Sequence, residues 1–218
     1  MGAMVFFFTP PPETDAPEGT RFYMGKDKFE NEDLIKYGCE EDVWFHVDKL
    51  SSAHVYLRPP RGLTIQDIPQ ACIDACCALV KANSIEGCKK AEVDVVYTPH
   101  GNLRKDAHMD VGQVGFFDNK QVTKVGHVKK NNDVVNRLNK TKVESYPDLS
   151  AERDERNALK RQETKAKARE HKKEQLEEER RKREEAELRS YDRIMDADAM
   201  TSNKDHGKSV AEFEEDFM

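Results

Sequence analysis

Charge is segregated along this chain of 218 residues, and that limits where a core can form. Of residues 151–193, 28 of 43 are Asp, Glu, Lys or Arg, with a net charge of +2. Residues 194–218 carry −5, and residues 1–150 carry −3 with 41 charged positions, an ordinary share for a folded domain. Apolar residues dense enough to offset the conformational entropy of folding therefore occur only before about residue 150. The longest apolar run near the start, Met4–Phe8, is followed by Pro10-Pro11-Pro12. It falls far short of the roughly 20 apolar residues of a membrane-spanning helix. No basic secretory n-region precedes it, and Met1-Gly2 lacks the Ser or Thr at position 6 that myristoylation uses. Met1-Gly2-Ala3 reads as a tag remnant, with Met4 as the natural start. The five cysteines (Cys39, Cys72, Cys76, Cys77, Cys88) are odd in number and hold no CxxC pair, which argues against a disulfide framework or a zinc ribbon. Reduced thiols in the cytoplasm are expected, with the nucleus or a peripheral membrane association as alternatives.

Val5–Thr9 reads as a buried strand, and Arg21–Met24 as a second that ends at Gly25. Phe29–Tyr37 has helical spacing, with Gly38 at its end. In strand period, Val43, Phe45 and Val47 share one face, while Asp42, Trp44, His46 and Asp48 share the other. The run Ala53-His54-Val55-Tyr56-Leu57-Arg58 alternates in the same way. A hairpin about Leu50 sets His46 opposite His54, Trp44 opposite Tyr56, and Asp42 opposite Arg58. One face is then core, and the other is a strip of two aromatics, two histidines and an ion pair.

Ile65, Ile68, Cys72, Cys76 and Leu79, flanked by Ile73, Cys77 and Val80, predict a well-buried helix over 64–83 with Pro69 near its start. Val93–Tyr97 is a strand closed by Pro99. Residues 100–110 form a polar loop, Val111–Phe117 a short strand or turn, and Val122–Val128 a strand. Val134, Val135 and Leu138 mark an amphipathic helix to about Val143. Ser145 and Asp148 have capping-box spacing for a further helix. In that helix Leu159, Leu176 and Leu188 are spaced by 17 and 12 residues, which makes no heptad. The pairs Glu152–Arg156, Glu163–Lys167, Glu177–Arg181, Glu178–Lys182, Glu179–Arg183 and Glu185–Arg189 instead support a solvated single helix of roughly 65 Å at 1.5 Å per residue. A weak coiled coil is the alternative. The expected organisation is a globular domain at 4–145, a charged helix at 146–193, and a disordered acidic tail at 194–218 that carries Phe213 and Phe217.

The motifs Gly25-Lys26-Asp27-Lys28, Glu30-Asn31-Glu32-Asp33-Leu34, Asp42-Val43-Trp44-Phe45-His46-Val47 and Ser52-Ala53-His54-Val55 resemble the NFACT-R domain, in that order. Ala82-Asn83-Ser84 and Val96-Tyr97-Thr98 continue the match, which runs from residue 4 to about 128. The resemblance implies a compact α+β fold with a mixed sheet and packed helices. It also implies binding of nucleic acid rather than catalysis, in a setting of RNA, tRNA and ribosome quality control. Larger relatives carry further N-terminal modules, and the peptide-release or tailing steps that depend on those do not transfer.

Two readings of the strip stay open. Trp44 and Tyr56 can stack unpaired bases, or they can form a second core layer under a covering helix. His46 and His54 are assigned to phosphates or base edges, because two facing histidines are costly in a core unless both find partners. Lys26, Lys28, Lys49, Arg58, Arg61, Arg104 and Lys105 come from neighbouring loops and can form a basic rim for phosphates. Asn31 either holds the loop at Gly25 by hydrogen bonds or contacts the ligand. Lys172-Lys173 and Arg180–Arg183 are a second basic candidate, though glutamates flank them.

An enzyme would need Asp42, His46, Asp48 and His54 to hold a zinc or manganese ion for nuclease-like chemistry. No GxxxxGK[ST], HExxH or recognised Ser or Cys nucleophile is present. The expected function is therefore non-catalytic nucleic-acid binding, with RNA favoured, DNA open, and no metal or cofactor. A protein scaffold built on the charged helix and tail is the alternative, with ribosomal or other protein partners, and a metal-dependent nuclease the second.

Overall fold

The computed structural model describes residues 3–189, so the tail expected at 194–218, with Phe213 and Phe217, lies outside the described residues. The strands and helices follow in chain order. They are β1 (Val5–Phe8), β2 (Arg21–Gly25), α1 (Lys28–Tyr37), β3 (Val43–Val47), β4 (Val55–Arg58), α2 (Gln70–Ala82) and β5 (Glu92–Pro99). Then come β6 (Leu103–Arg104), β7 (Gly115–Phe116), β8 (Thr123–Lys129), α3 (Asn132–Lys140), β9 (Val143–Ser145) and α4 (Leu149–Arg189).

The central hairpin has the register that parity implies: Val43 faces Leu57, Trp44 faces Tyr56, and Phe45 faces Val55. Around it, seven strands form one sheet in the order β8-β5-β3-β4-β2-β1-β9. The expectation was a mixed sheet, but every ladder here is antiparallel. The reason is topological: the helical connections from β2 to β3 and from β4 to β5 each pass over one intervening strand, so no parallel strands become neighbours. β6 and β7 form a separate two-stranded ribbon.

Both faces of the large sheet are buried. On one, Phe8, Phe22, Phe45, Val47, Val55 and Leu57 pack with Cys72, Cys76 and Leu79 of α2. This is the face that strand alternation marked as core. On the other, Val5, Tyr23, Trp44 and Tyr56 pack with Leu34 of α1, Leu103 of β6 and Leu149 of α4.

Two boundaries differ from the sequence pattern. The helix expected from residue 64 begins at Gln70. Ile65–Asp67 is instead a 3-10 turn closed by a Thr64/Asp67 capping box. Pro69 forces this division, since it drives Ile68 into an extended conformation (φ −90°, ψ 127°). The helix expected to reach Val143 stops at Lys140. Thr141 then bonds Thr9 through its side chain, and β9 adds three residues to the edge of the sheet beside β1. Three residues are too few to show alternation.

The compact unit that contains the sheet extends to Leu159. Leu149 is buried in the second core layer. Glu152 and Arg156, expected to pair with each other, turn to the sheet domain. Glu152 accepts from Arg58 at 3.1 Å, and Arg156 donates to Glu41 at 2.6 Å and to the Pro59 carbonyl at 3.2 Å. In the segment from Lys160 to Arg189, Glu178–Lys182 and Glu185–Arg189 pair as expected, joined by Arg180–Glu184 and Arg183–Glu187. Leu176 and Leu188 are exposed. No helix among the described residues is long and apolar enough to cross a membrane.

A chain cut after residue 145 loses Leu149 and the Glu152 and Arg156 contacts, while one cut after residue 159 keeps them. In urea unfolding, the shorter form is expected to be less stable by about 2 kcal/mol or more, the scale of one buried leucine. Equal midpoints would show that the root of α4 adds nothing to the fold.

Candidate nucleic-acid interface

The ion pair expected across the hairpin exists, and it lies inside the protein. Asp42 is fully buried. Its Oδ2 accepts from the Tyr23 hydroxyl at 2.6 Å, the Cys39 amide at 3.0 Å and Arg58 Nη2 at 2.9 Å, and its Oδ1 accepts from Arg58 Nε at 3.0 Å. Arg58 also stacks its guanidinium on Tyr23. Burial, then the Asp42 charge, pushes the Tyr23 hydroxyl well above its usual range, and the same two causes push the Cys39 thiol up to about 11. Arg58 is thus occupied by Asp42 and Glu152, which removes it from the basic rim expected of it.

Of the two readings of the strip, the covered one is seen. Trp44 is 2% exposed and His54 3%. Tyr56 is completely enclosed and stacks on Tyr23 at 4.9 Å. Trp44 has no free face for a base, because it is enclosed, with His46 parallel to it at 5.3 Å and Phe116 tilted against it at 5.8 Å. Both histidines have found partners. Trp44 Nε1 donates to His54 Nδ1 at 3.0 Å. An indole N–H only donates, so this nitrogen of His54 is bare and the ring is neutral. Its other nitrogen serves a backbone hydrogen bond with Gly112. Burial, then the neighbouring His46, pulls its pKa down to about 3.

His46 is half-buried, parallel to Trp44 at 5.3 Å and edge-on to His54 at 5.0 Å. Its Nδ1 lies 2.8 Å from the Val47 carbonyl. Burial lowers its pKa.

These pairings leave no metal cradle. Asp42 is held by Arg58, and Asp48 by Lys124 at 3.0 Å. Among the described residues no group of three or more His, Cys, Asp or Glu is arranged to hold an ion.

The loop between β6 and β7 covers the histidines, and α1 pins it. Lys105 Nζ donates to Glu32 Oε1 at 2.7 Å, to the Asp110 carbonyl at 2.7 Å and to the Gln113 carbonyl at 3.0 Å. The Gly112 amide donates to the same Glu32 oxygen. Two hydrogen bonds and the lysine charge hold the Glu32 carboxyl below its usual range against the opposing effect of burial. Gly112 has φ +84°, a conformation that disfavours any side chain, and it lies against Lys28. Between this loop and β3 remains a cleft of about 220 Å³, lined by Trp44, His46, Lys49, His54, Gln113 and Val114 among others.

The expected site residues therefore divide. Lys28, Lys49, His46 and the covered Trp44 and His54 come together around Gly112. Lys26, Lys28 and Lys49 are exposed. Lys105 is a structural clamp, and Arg104 lies beside Gly115 with its charge on Asp106 at 3.1 Å. Asn31 is buried against Gly25, and its Oδ1 accepts no hydrogen bond. The sequence reasoning missed Glu32 and Phe116, and also Phe29, which is 63% exposed. Phe29 occupied an apolar point of a predicted helix, and its exposure left no trace in the spacing.

Two outcomes follow. His54 has a folded pKa below its unfolded value, so the unfolded chain takes up the proton first. Its contribution is complete above about pH 6.5 and is lost as pH falls toward 3, at up to about 1.4 kcal/mol per pH unit. His46 and His100, also lowered by burial, act in the same direction. Urea midpoints should fall over this range, and His54→Gln should flatten the dependence; an unchanged slope would contradict the neutral assignment. Separately, Glu32→Ala should speed hydrogen exchange at the Gly112 amide by tenfold or more.

Comparison with known proteins agrees with this architecture. The family model described as "NFACT protein RNA binding domain" matches residues 4–118. Coiled-coil domain-containing protein 25 of Danio rerio is 59% identical over 206 residues, which cover 93% of this chain and 96% of that protein. The Mus musculus protein of the same name is 54% identical over 207 residues, 94% and 98% of the two chains. Protein JLP2 of Saccharomyces cerevisiae is 42% identical over 160 residues, 72% and 76%. A solved structure, the C-terminal part of the fibronectin/fibrinogen-binding protein from Streptococcus suis, superposes with a TM-score of 0.50 at 15% identity. It covers 65% of this chain and 50% of its own, a likeness of fold alone. With the family model over more than half of its length and near full-length relatives above 50% identity, this chain belongs to the NFACT RNA-binding-domain family.

Proposed function

We propose that this protein binds RNA without chemical change, at the rim of the loop-covered cleft rather than on the sheet strip. The observation that carries the reading is the span of the family match. Residues 4–118 include the β3–β4 hairpin, Val96 of β5 and the β6–β7 loop, which line the cleft, and Lys28 at the start of α1, which lies against Gly112 of that loop. Lys28 and Lys49 flank the Gly112 turn, and Lys26 lies two residues before Lys28. Their exposed ammonium groups suit phosphates, which give salt-sensitive affinity independent of sequence. Phe29, with Lys28 Nζ 5.3 Å from its ring centre, is an exposed aromatic beside these lysines and is available to an unpaired base. The non-catalytic assignment is supported by the way Asp42, Asp48 and His54 are committed to internal partners. Phosphate contacts do not separate RNA from DNA, so single-stranded DNA is the natural competitor.

The test is fluorescence anisotropy of the full chain with labelled single-stranded RNA, tRNA and DNA over a salt series. Saturable RNA binding is expected. Lys28→Ala and Lys49→Ala should each weaken it for all sequences and reduce the log–log salt slope by about 0.7. Phe29→Ala should cost about 1–3 kcal/mol on unpaired strands. RNA binding no stronger than that of an unrelated acidic protein would refute the proposal.

A further inference from the structure

We propose that His46 Nε2 is a fixed hydrogen-bond acceptor that selects a donor on an unpaired nucleotide, a base N–H or a ribose 2′-hydroxyl, and does not bind phosphate. This rests on the RNA-binding reading above and deepens it. A carbonyl oxygen can only accept, so the 2.8 Å contact between Nδ1 and the Val47 carbonyl places a proton on Nδ1. In the neutral ring, Nε2 then carries a lone pair. No described residue bonds this nitrogen, and it is not among the polar atoms sealed from solvent without a partner. It therefore opens to the cleft that His46 lines.

The surroundings fit a neutral ligand group. His54, edge-on to His46, is neutral because Trp44 donates to it. Asp48, the next wall residue beyond Val47, carries a carboxylate that repels an entering phosphate, and Lys124 holds it in place. Lys105 is already surrounded by one carboxylate and two carbonyls. Lys49 is the exposed cation of the cleft wall. A phosphate is thus favoured at Lys49, outside, with base or ribose inside. The volume of about 220 Å³ lies below the roughly 300–1,000 Å³ of drug-sized sites and suits one such moiety.

Two measurements on the full chain test this. The first is the anisotropy salt series with His46→Ala. The expected result is RNA affinity reduced about 2- to 10-fold, the worth of one neutral hydrogen bond, with an unchanged salt slope. A slope lowered by about 0.7 would mean a lost phosphate contact and would overturn the inference. The second is imidazole ¹⁵N NMR at neutral pH during titration with single-stranded RNA, DNA of the same sequence, and inorganic phosphate. Nε2 should stay unprotonated, shift on RNA in step with binding, and ignore phosphate. The same shift with DNA assigns the donor to the base; a shift with RNA alone assigns it to the 2′-hydroxyl. Protonation of Nε2 by RNA, or an unmoved resonance while anisotropy reports binding, refutes this inference alone. Absence of any RNA binding refutes it together with the proposed function.

Discussion

The buried Asp42–Arg58 pair is the interaction on which the surrounding structure depends. A lone carboxylate with no exposed surface would be strongly unfavourable, and this one is tolerated because four donors meet its two oxygens. Those donors come from different places: the Tyr23 hydroxyl on β2, the Cys39 amide just past α1, and the two Arg58 nitrogens on β4. Arg58 in turn reaches Glu152 in the first turns of α4. One buried charge thereby joins two strands, the end of α1 and the root of α4. Such a pair contributes little net stability compared with an apolar replacement, yet loss of either partner strands the other. Its effect is to specify one arrangement.

The second consequence is electrostatic. Because α1, the β6–β7 loop and the root of α4 cover the face opposite α2, the imidazoles on that face lie in surroundings that disfavour charge. The imidazoles of His46, His54 and His100 all respond by staying neutral. His100 bonds the Leu34 carbonyl near the end of α1, and its ring packs so closely on Gly38 that a Cβ there would overlap it. The cations that remain within a site of this kind are those whose side chains reach outward, from loops or from the first turn of α1. The division between neutral acceptors inside and ammonium groups outside follows from burial, and it shapes what part of a nucleotide each can meet.

Much of the fold was legible from residue order. Parity alone placed Trp44 against Tyr56 and Asp42 against Arg58, because the side-chain period of a strand is two and a hairpin loop admits few registers. The wide apolar stripe of α2 marked a helix under a sheet, although Pro69 moved its start. The short β9 escaped because three residues carry no period. The site was less legible. Alternation states that Trp44, His46 and His54 share a face but not whether water reaches it. Lys105 and Arg58 read as rim cations because a sequence shows the sign of a charge and not its partner.

What the sequence determined by itself is therefore local and periodic: which segments form strands and helices, how the hairpin pairs, where the apolar density ends, and which family motifs are present. What only the tertiary structure decided is the environment of each polar side chain. Glu32 reaches Gly112 and Lys105 across 80 and 73 positions of chain, and Glu152 reaches Arg58 across 94. No spacing rule extends over such separations. Whether an imidazole is neutral, or a lysine free to meet a phosphate, depends on which distant groups the fold brings within hydrogen-bond distance and how much water it leaves between them.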